Sequence, residues 1–205
     1  MRKLFIDCAT EACSVALIEN GTLLAGDFAM LGRGHAERLV PMIAGLPDKG
    51  RAEVVAVDVG PGSFTGIRVG LAAARALALA WGATLEGFES LALVAAMALA
   101  QRPGQPVDVC MTGGHGEWFF QPFDAACAPL REVVSLKPAD AIARSSAPLV
   151  TGSQAIALAS GRTGVEALEL RPDARQAHLL AEPQLHGDPR PRYGRAPDAR
   201  LPSAA

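Results

Sequence analysis

The stretch Ile6-Asp7-Cys8-Ala9-Thr10-Glu11-Ala12-Cys13-Ser14-Val15-Ala16-Leu17 sets two apolar runs on either side of a short polar turn. Extended backbone sends successive side chains to opposite faces of a sheet, so these runs predict strands at residues 3–9 and 13–19. Asn20-Gly21 is a tight-hairpin signal, and residues 22–30 follow as a third strand. An antiparallel meander therefore opens the chain.

Beyond Gly32-Arg33-Gly34, the residues Leu39, Met42, Ile43 and Leu46 recur at helical spacing, predicting a helix from about His35 that Pro41 kinks. Residues 53–59 are β-branched and mostly apolar, as expected of a strand buried on both faces. They end in the loop Gly60-Pro61-Gly62-Ser63-Phe64-Thr65-Gly66, which feeds a helix over residues 67–81. Gly62, Gly66, Gly70, Ala74 and Ala78 form a stripe without bulk along that helix, a surface against which another helix is expected to lie. A short strand at 85–88 and an Ala/Leu helix at 90–100 precede the break Arg102-Pro103-Gly104.

The second half repeats the opening more loosely. Strands are predicted at 106–111, 118–123 and 130–136, a helix at 138–143, a strand at 148–151 and a short helix at 154–160. Two βββα units in one chain point to an internal duplication. A last helix over 173–185 starts at Asp173 as N-cap. The division expected is a first lobe at 1–102, a smaller second lobe at 103–187, and a tail at 188–205.

That tail carries Arg190, Arg192, Arg195 and Arg200 among Pro189, Pro191, Pro197 and Pro202, which forbid a long helix. It reads as extended, either a solvated tail or a docking or RNA-touching arm. Elsewhere, composition narrows the classes. The 205 residues are 50% hydrophobic and 20% charged, enough to bury a core and incompatible with disorder. A formal charge of -2 supplies no global basic field for nucleic acid. The four cysteines lack C-x-x-C spacing, which fits a reducing compartment, and no signal peptide or membrane span is read. A cytoplasmic location is expected, with no membrane contact.

Strand-strand-strand-helix-strand-helix with Asp7-Cys8-Ala9-Thr10 at the first turn resembles the α/β actin, sugar kinase and Hsp70 (ASKHA) superfamily, built from duplicated βββαβα lobes. The first-turn stretch together with His35-Ala36-Glu37-Arg38-Leu39 and Gly60-Pro61-Gly62-Ser63-Phe64-Thr65-Gly66-Ile67-Arg68-Val69-Gly70 is similar to the bacterial TsaB (YeaZ) family. The likeness thins at Gly116-Glu117-Trp118-Phe119 and returns at Tyr193-Gly194-Arg195. It implies a non-catalytic subunit of the machinery that places a threonylcarbamoyl group on N6 of adenosine 37 in tRNAs reading codons that begin with A. The implied partner is the paralogous catalytic TsaD, which carries the metal on a His-x-x-x-His helix; the ATPase TsaE assists, tRNA is reached through the complex, and a homodimer is implied when the partner is missing. The resemblance also implies pairing through the two helices of the first lobe. The interface residues expected are His35, Leu39, Met42, Ile43, Ile67, Gly70, Leu71, Ala74, Arg75 and Ala78, several of which serve equally as core.

The residues themselves fit an absence of chemistry, so no catalytic residue, metal or cofactor is assigned. A helical metal pair needs ligands three or four positions apart, and His35 faces Leu39 at the fourth. His35 then reads as a polar residue near a helix start. The Gly-rich loop lacks the Lys-Ser/Thr of a P-loop, and its structural reading has Phe64 plugging a core while Ser63 or Thr65 caps the helix. Asp7 either positions a metal-bound phosphate or binds turn amides. Where the TsaB family often shows Asp-Ala-Arg before Arg-Gly-Glu, this chain has Thr112-Gly113-Gly114 before His115-Gly116-Glu117. Ser63, Ser14 and Cys8 lack the partners of a nucleophile, so a peptidase is disfavoured. The competing readings are an independent nucleotide-binding ATPase or small-molecule kinase, and an RNA-binding module using the tail.

Overall fold

The computed structural model describes residues 1–187 and 189–194. The opening meander is β1 (Arg2–Asp7), β2 (Ala12–Glu19) and β3 (Thr22–Met30), followed by α1 (His35–Ala44), β4 (Val54–Asp58), α2 (Phe64–Trp81), β5 (Thr84–Phe88) and α3 (Ser90–Gln101). The second half gives β6 (Val107–Thr112), β7 (Trp118–Phe123), β8 (Val134–Leu136), α4 (Pro138–Arg144), β9 (Leu149–Thr151), α5 (Ala155–Ser160) and β10 (Glu166–Leu168). A two-residue strand, β11 (His186–Gly187), closes the order.

The first sheet runs β11-β5-β4-β1-β2-β3 and the second β10-β9-β6-β7-β8. In each, the first three strands are antiparallel and the next two join in parallel, so β6 to β10 repeat the pairing of β1 to β5. This is the duplicated α/β lobe architecture expected of the actin, sugar kinase and Hsp70 superfamily.

Alternation along the strands builds the layers. Leu4, Ile6, Val15, Leu17, Val55 and Val57 face α1 and α2, whereas Phe5, Ala16, Ile18 and Ala56 face α3. The opposite side of α3, with Leu91, Val94, Ala95 and Ala98, meets Val107, Val109 and Met111 of the second sheet. Behind that sheet, Cys110, Phe120 and Val150 pack on Ala141 and Leu158 of α4 and α5. Helix α3 is thus buried on nearly every side, which explains its uniformly apolar sequence.

Several expectations change. The first part of the small-residue stripe meets strands: a Cβ at Gly62 or Gly66 would collide with the carbonyls of Ala9 or Cys8, and Gly70 lies over Val57 and Cys8. A side chain at the first two would displace the β1–β2 turn, whose Ala9 carbonyl accepts the Ser63 N–H at 2.6 Å. Phe64 plugs no core; it is 52% exposed. The helix expected over 173–185 is replaced by two 3₁₀ turns, Ala174–Leu179 and Glu182–Gln184. Pro183 has no N–H for a helical bond to the Leu179 carbonyl, so the helical pattern cannot run through it. Asp173 caps the first turn by accepting the Arg175 N–H.

These last segments also leave the second lobe. The turn at 174–179 packs beneath β1, β2 and β3, with Ala174 N–H donating to Ser14 Oγ at 2.9 Å, and β11 pairs with β5. Sequence pattern groups residues 103–187 together, yet the chain returns to the first sheet after β10. Of the tail, residues 189–194 lie along the first lobe, while Asp188 and residues 195–205, with Arg195, Arg200, Pro197 and Pro202, lie outside the described residues.

Candidate functional site: a neutral cleft and an outward helix face

The β1–β2 turn, the N-terminus of α2 and the end of β6 converge on an interlobe cleft of about 650 Å³. Ala9, Thr10, Glu11, Gly62, Ser63, Phe64 and Arg68 form one wall; Met111 to His115, Phe119 and Ser153 form the other; Tyr193 closes one side. Ser63 caps α2 by accepting the Gly66 N–H at 3.2 Å. Arg68 stacks over the Phe64 ring, 3.3 Å from its centroid, and its Nε donates to the Tyr193 hydroxyl at 3.1 Å. The Phe64 and Tyr193 rings also meet, tilted, with centroids 4.8 Å apart.

Several polar groups around this cleft are already engaged. Glu11 accepts from Arg171 at 2.7 Å, and Glu117 accepts from Ser135 at 2.6 Å. Thr112 receives the Gln154 amide at 2.8 Å and lies 3.1 Å from Ser153 Oγ. The N–H of Gly113 is spent on the Glu117 carbonyl at 2.8 Å, closing a hairpin whose turn residues His115 and Gly116 take positive φ. Among the described residues no three His, Cys, Asp or Glu side chains gather as a metal site.

Asp7 lies below the cleft floor, wholly buried. Its Oδ1 accepts the Ala9 N–H at 2.9 Å, the turn-binding role open to a strand-end Asp. Beside it, buried Asp58 accepts from Gly60 N–H at 2.7 Å and from the Ser90 hydroxyl at 2.7 and 2.9 Å. Asp7 Oδ2 has no donor while both acids are ionised, whereas a proton on either lets the carboxyl groups bond to each other. Burial pushes Asp7 up to about 7, and burial followed by the Asp7 charge pushes Asp58 well above the carboxylate range. One acid of such a pair stays protonated near neutrality.

The helices α1 and α2 lie side by side on one face of the first sheet. Of the ten expected interface residues, His35, Leu39, Met42, Ile43, Ile67, Gly70, Leu71, Ala74 and Ala78 turn inward and are buried in this chain's own core; Arg75 is exposed, with Nη2 donating to the Pro189 carbonyl at 3.1 Å. The physical reason is that the sheet beneath needs an apolar lid, and the most regular apolar stripe of each helix supplies it. His35 adds a latch: its Nε2 donates to the carbonyls of Thr10 at 2.9 Å and Ala12 at 3.2 Å, tying α1 to the β1–β2 turn.

What sequence reasoning passed over is the outward face. Ala36, Val40 and Ala44 on α1 and Ala72, Ala76, Leu79 and Ala80 on α2 are exposed, Val40 by 62% and Leu79 by 86%. These positions also recur every third or fourth residue, a second stripe as readable as the first. Helix α2 is long and apolar enough by composition to cross a membrane, but its inner face is filled by β1 and β4.

Comparison with known proteins gives a consistent pattern. The sequence model of the family described as "TsaD: tRNA N6-adenosine threonylcarbamoyltransferase" matches residues 29–163. The Escherichia coli tRNA threonylcarbamoyladenosine biosynthesis protein TsaB is 43% identical over 84 residues, covering 38% of this chain and 36% of that protein. A tRNA N6-adenosine threonylcarbamoyltransferase of Anaeromyxobacter dehalogenans is 30% identical over 139 residues, 56% of this chain and 41% of that one. Each match thus spans less than half of the curated relative. The solved structure of YeaZ from Pseudomonas aeruginosa superposes with a TM-score of 0.74 at 25% identity, covering 87% of this chain and 89% of that one.

Proposed function

The chain belongs to the TsaB/YeaZ family, and from that premise we propose that it is a non-catalytic subunit that binds and activates a TsaD-like threonylcarbamoyltransferase. The reaction served is N6-threonylcarbamoylation of adenosine 37 in tRNAs that read ANN codons. The partner is the catalytic subunit, a TsaE-like ATPase joins the larger complex, and tRNA is reached through the assembly in the cytoplasm.

The observation that carries this reading is the outward apolar face of α1 and α2. A matching helix pair laid across it would bury Val40, Leu79 and the alanines between them, and the small side chains let helices approach closely. Arg75 stands at the edge of this face. The same face can close a homodimer when the partner is missing. A cleft whose lining carboxylate, Glu11, is already paired with Arg171 supports a subunit without chemistry of its own.

The test is co-purification with the host's TsaD-like protein, read by size-exclusion chromatography with light scattering. A one-to-one complex is expected from the parent chain and none from Leu79→Arg, which charges the seam without touching the core. A folded Leu79→Arg that still binds moves the interface elsewhere. The alternative, an independent nucleotide-binding ATPase or small-molecule kinase, draws on the α2 N-terminus and the Arg68, Phe64 and Tyr193 cluster at the cleft. It predicts calorimetric binding of ATP with magnesium, and hydrolysis, by the chain alone.

A further inference from the structure

The turn that forms one cleft wall is held at its neck by two cysteines. Cys8 and Cys13 are both free and both wholly buried, with their Sγ atoms 3.6 Å apart. Asp7 pairs with Ser14 in the β1–β2 ladder, so Cys8 and Cys13 are the next opposed positions, where the strands part into the loop Ala9 to Ala12. Opposed Cβ atoms in such a ladder stand roughly 4.5–5.5 Å apart, and a disulfide needs about 3.5–4.5 Å, so closure asks for a local tightening only. The other two cysteines sit in different clusters, Cys110 behind the second sheet and Cys127 beside Gln184.

The two sulfurs differ in character. The contact with the neighbouring sulfur, then burial, raises the Cys8 thiol, while that same contact lowers Cys13; either sulfur can be the donor. An attacking sulfur with a protonated thiol in contact is the arrangement in which an oxidised first cysteine is resolved by the second.

We propose that Cys8 and Cys13 are a redox modification site that a peroxide closes to an intrachain disulfide at the neck of the cleft loop. The Cys13 thiolate attacks one oxygen of hydrogen peroxide; the O–O bond breaks, leaving a sulfenic acid on Cys13 and a hydroxide that takes up a proton. The Cys8 sulfur then attacks the Cys13 sulfur, the S–O bond breaks, and the departing oxygen leaves as water with the Cys8 proton. Two thiols and one peroxide become one disulfide and two waters, the peroxide accepting two electrons. The product fixes the stems beneath Ala9, Thr10 and Glu11, which line the cleft. Because both sulfurs are buried, opening of the loop sets the rate, and His35 is the latch on that loop.

The test treats the full chain with hydrogen peroxide, blocks remaining thiols by alkylation and maps tryptic peptides. Residues 4–33 contain both cysteines and no internal Lys or Arg before Arg33, so the product appears in one peptide. Expected is loss of two of the four thiols, with that peptide unalkylated, two hydrogen atoms lighter and restored by dithiothreitol. Cys8→Ser and Cys13→Ser should each abolish the product, and His35→Ala should speed its formation several-fold. The proposal is overturned if peptide 4–33 stays fully alkylated at a dose that oxidises Cys127. Sulfinic or sulfonic acid at either cysteine without the crosslink overturns it equally.

Discussion

Asp7 and Asp58 end neighbouring parallel strands, Ile6 standing beside Val57 in the ladder, so the fold forces two acids together out of water. Both are held above the ordinary carboxylate range, hence the folded chain binds more protons than the unfolded one around neutrality. Stability must then fall as pH rises through about 7 for Asp7, by up to roughly 1.4 kcal/mol per pH unit while one extra proton is held. In Asp58→Asn one charge is gone and the new amide can donate to Asp7 Oδ2. Urea unfolding from about pH 6 to about pH 8 is expected to give a flatter profile for this variant and a higher stability at the alkaline end. The glycines under the turn are as sensitive. Gly66→Ala drives a methyl into the Cys8 carbonyl, so a loss of about 3 kcal/mol is expected in the same unfolding measurement. Asp7 bound to a turn amide was legible in sequence, because an Asp two residues before a turn N–H makes that bond locally. Its pairing with Asp58 was not, since it depends on a register between strands nearly fifty residues apart.

For the elements, period was legible and direction was not. Alternation in residues 3–30 and 53–59 gave strands close to their observed bounds, and the repeat at 106–136 gave the second sheet apart from the irregular run before β8. β10 and β11 are too short to show a period. On α2, two apolar stripes run along the same helix, and only the sheet beneath decides which is core. The difference is measurable. Ala74→Arg buries an unpaired cation under the helix and is expected to cost on the order of 4 kcal/mol, whereas Leu79→Arg stays within about 0.5 kcal/mol of the parent in thermal unfolding. Equal losses would mean that the outward face is not free in the isolated chain.

At the scale of the whole molecule, the segment 189–194 ties the lobes. Arg192 N–H donates to the Val59 carbonyl at 2.7 Å and its guanidinium pairs with Glu89 at 2.6 Å; Tyr193 packs on Phe64, and Gly194 is wedged between Pro61 and Phe119 of β7. Tyr193→Ala removes the aromatic contact, worth about 1 kcal/mol. Hydrogen exchange is expected to quicken in β7 and at the start of α2, with β1 and β4 unchanged. The same topology bears on synthesis. The first sheet takes its outermost strand from residues 186–187, and its underside is finished only by residues 174–179. A ribosome adding roughly 5–20 residues per second needs several seconds between the end of α3 and those segments. During that interval the nascent first lobe carries an open strand edge at β5 and an uncovered patch beneath β2 and β3, where Ala174 and Ala177 later pack, so the early product is the one that a holding chaperone would engage.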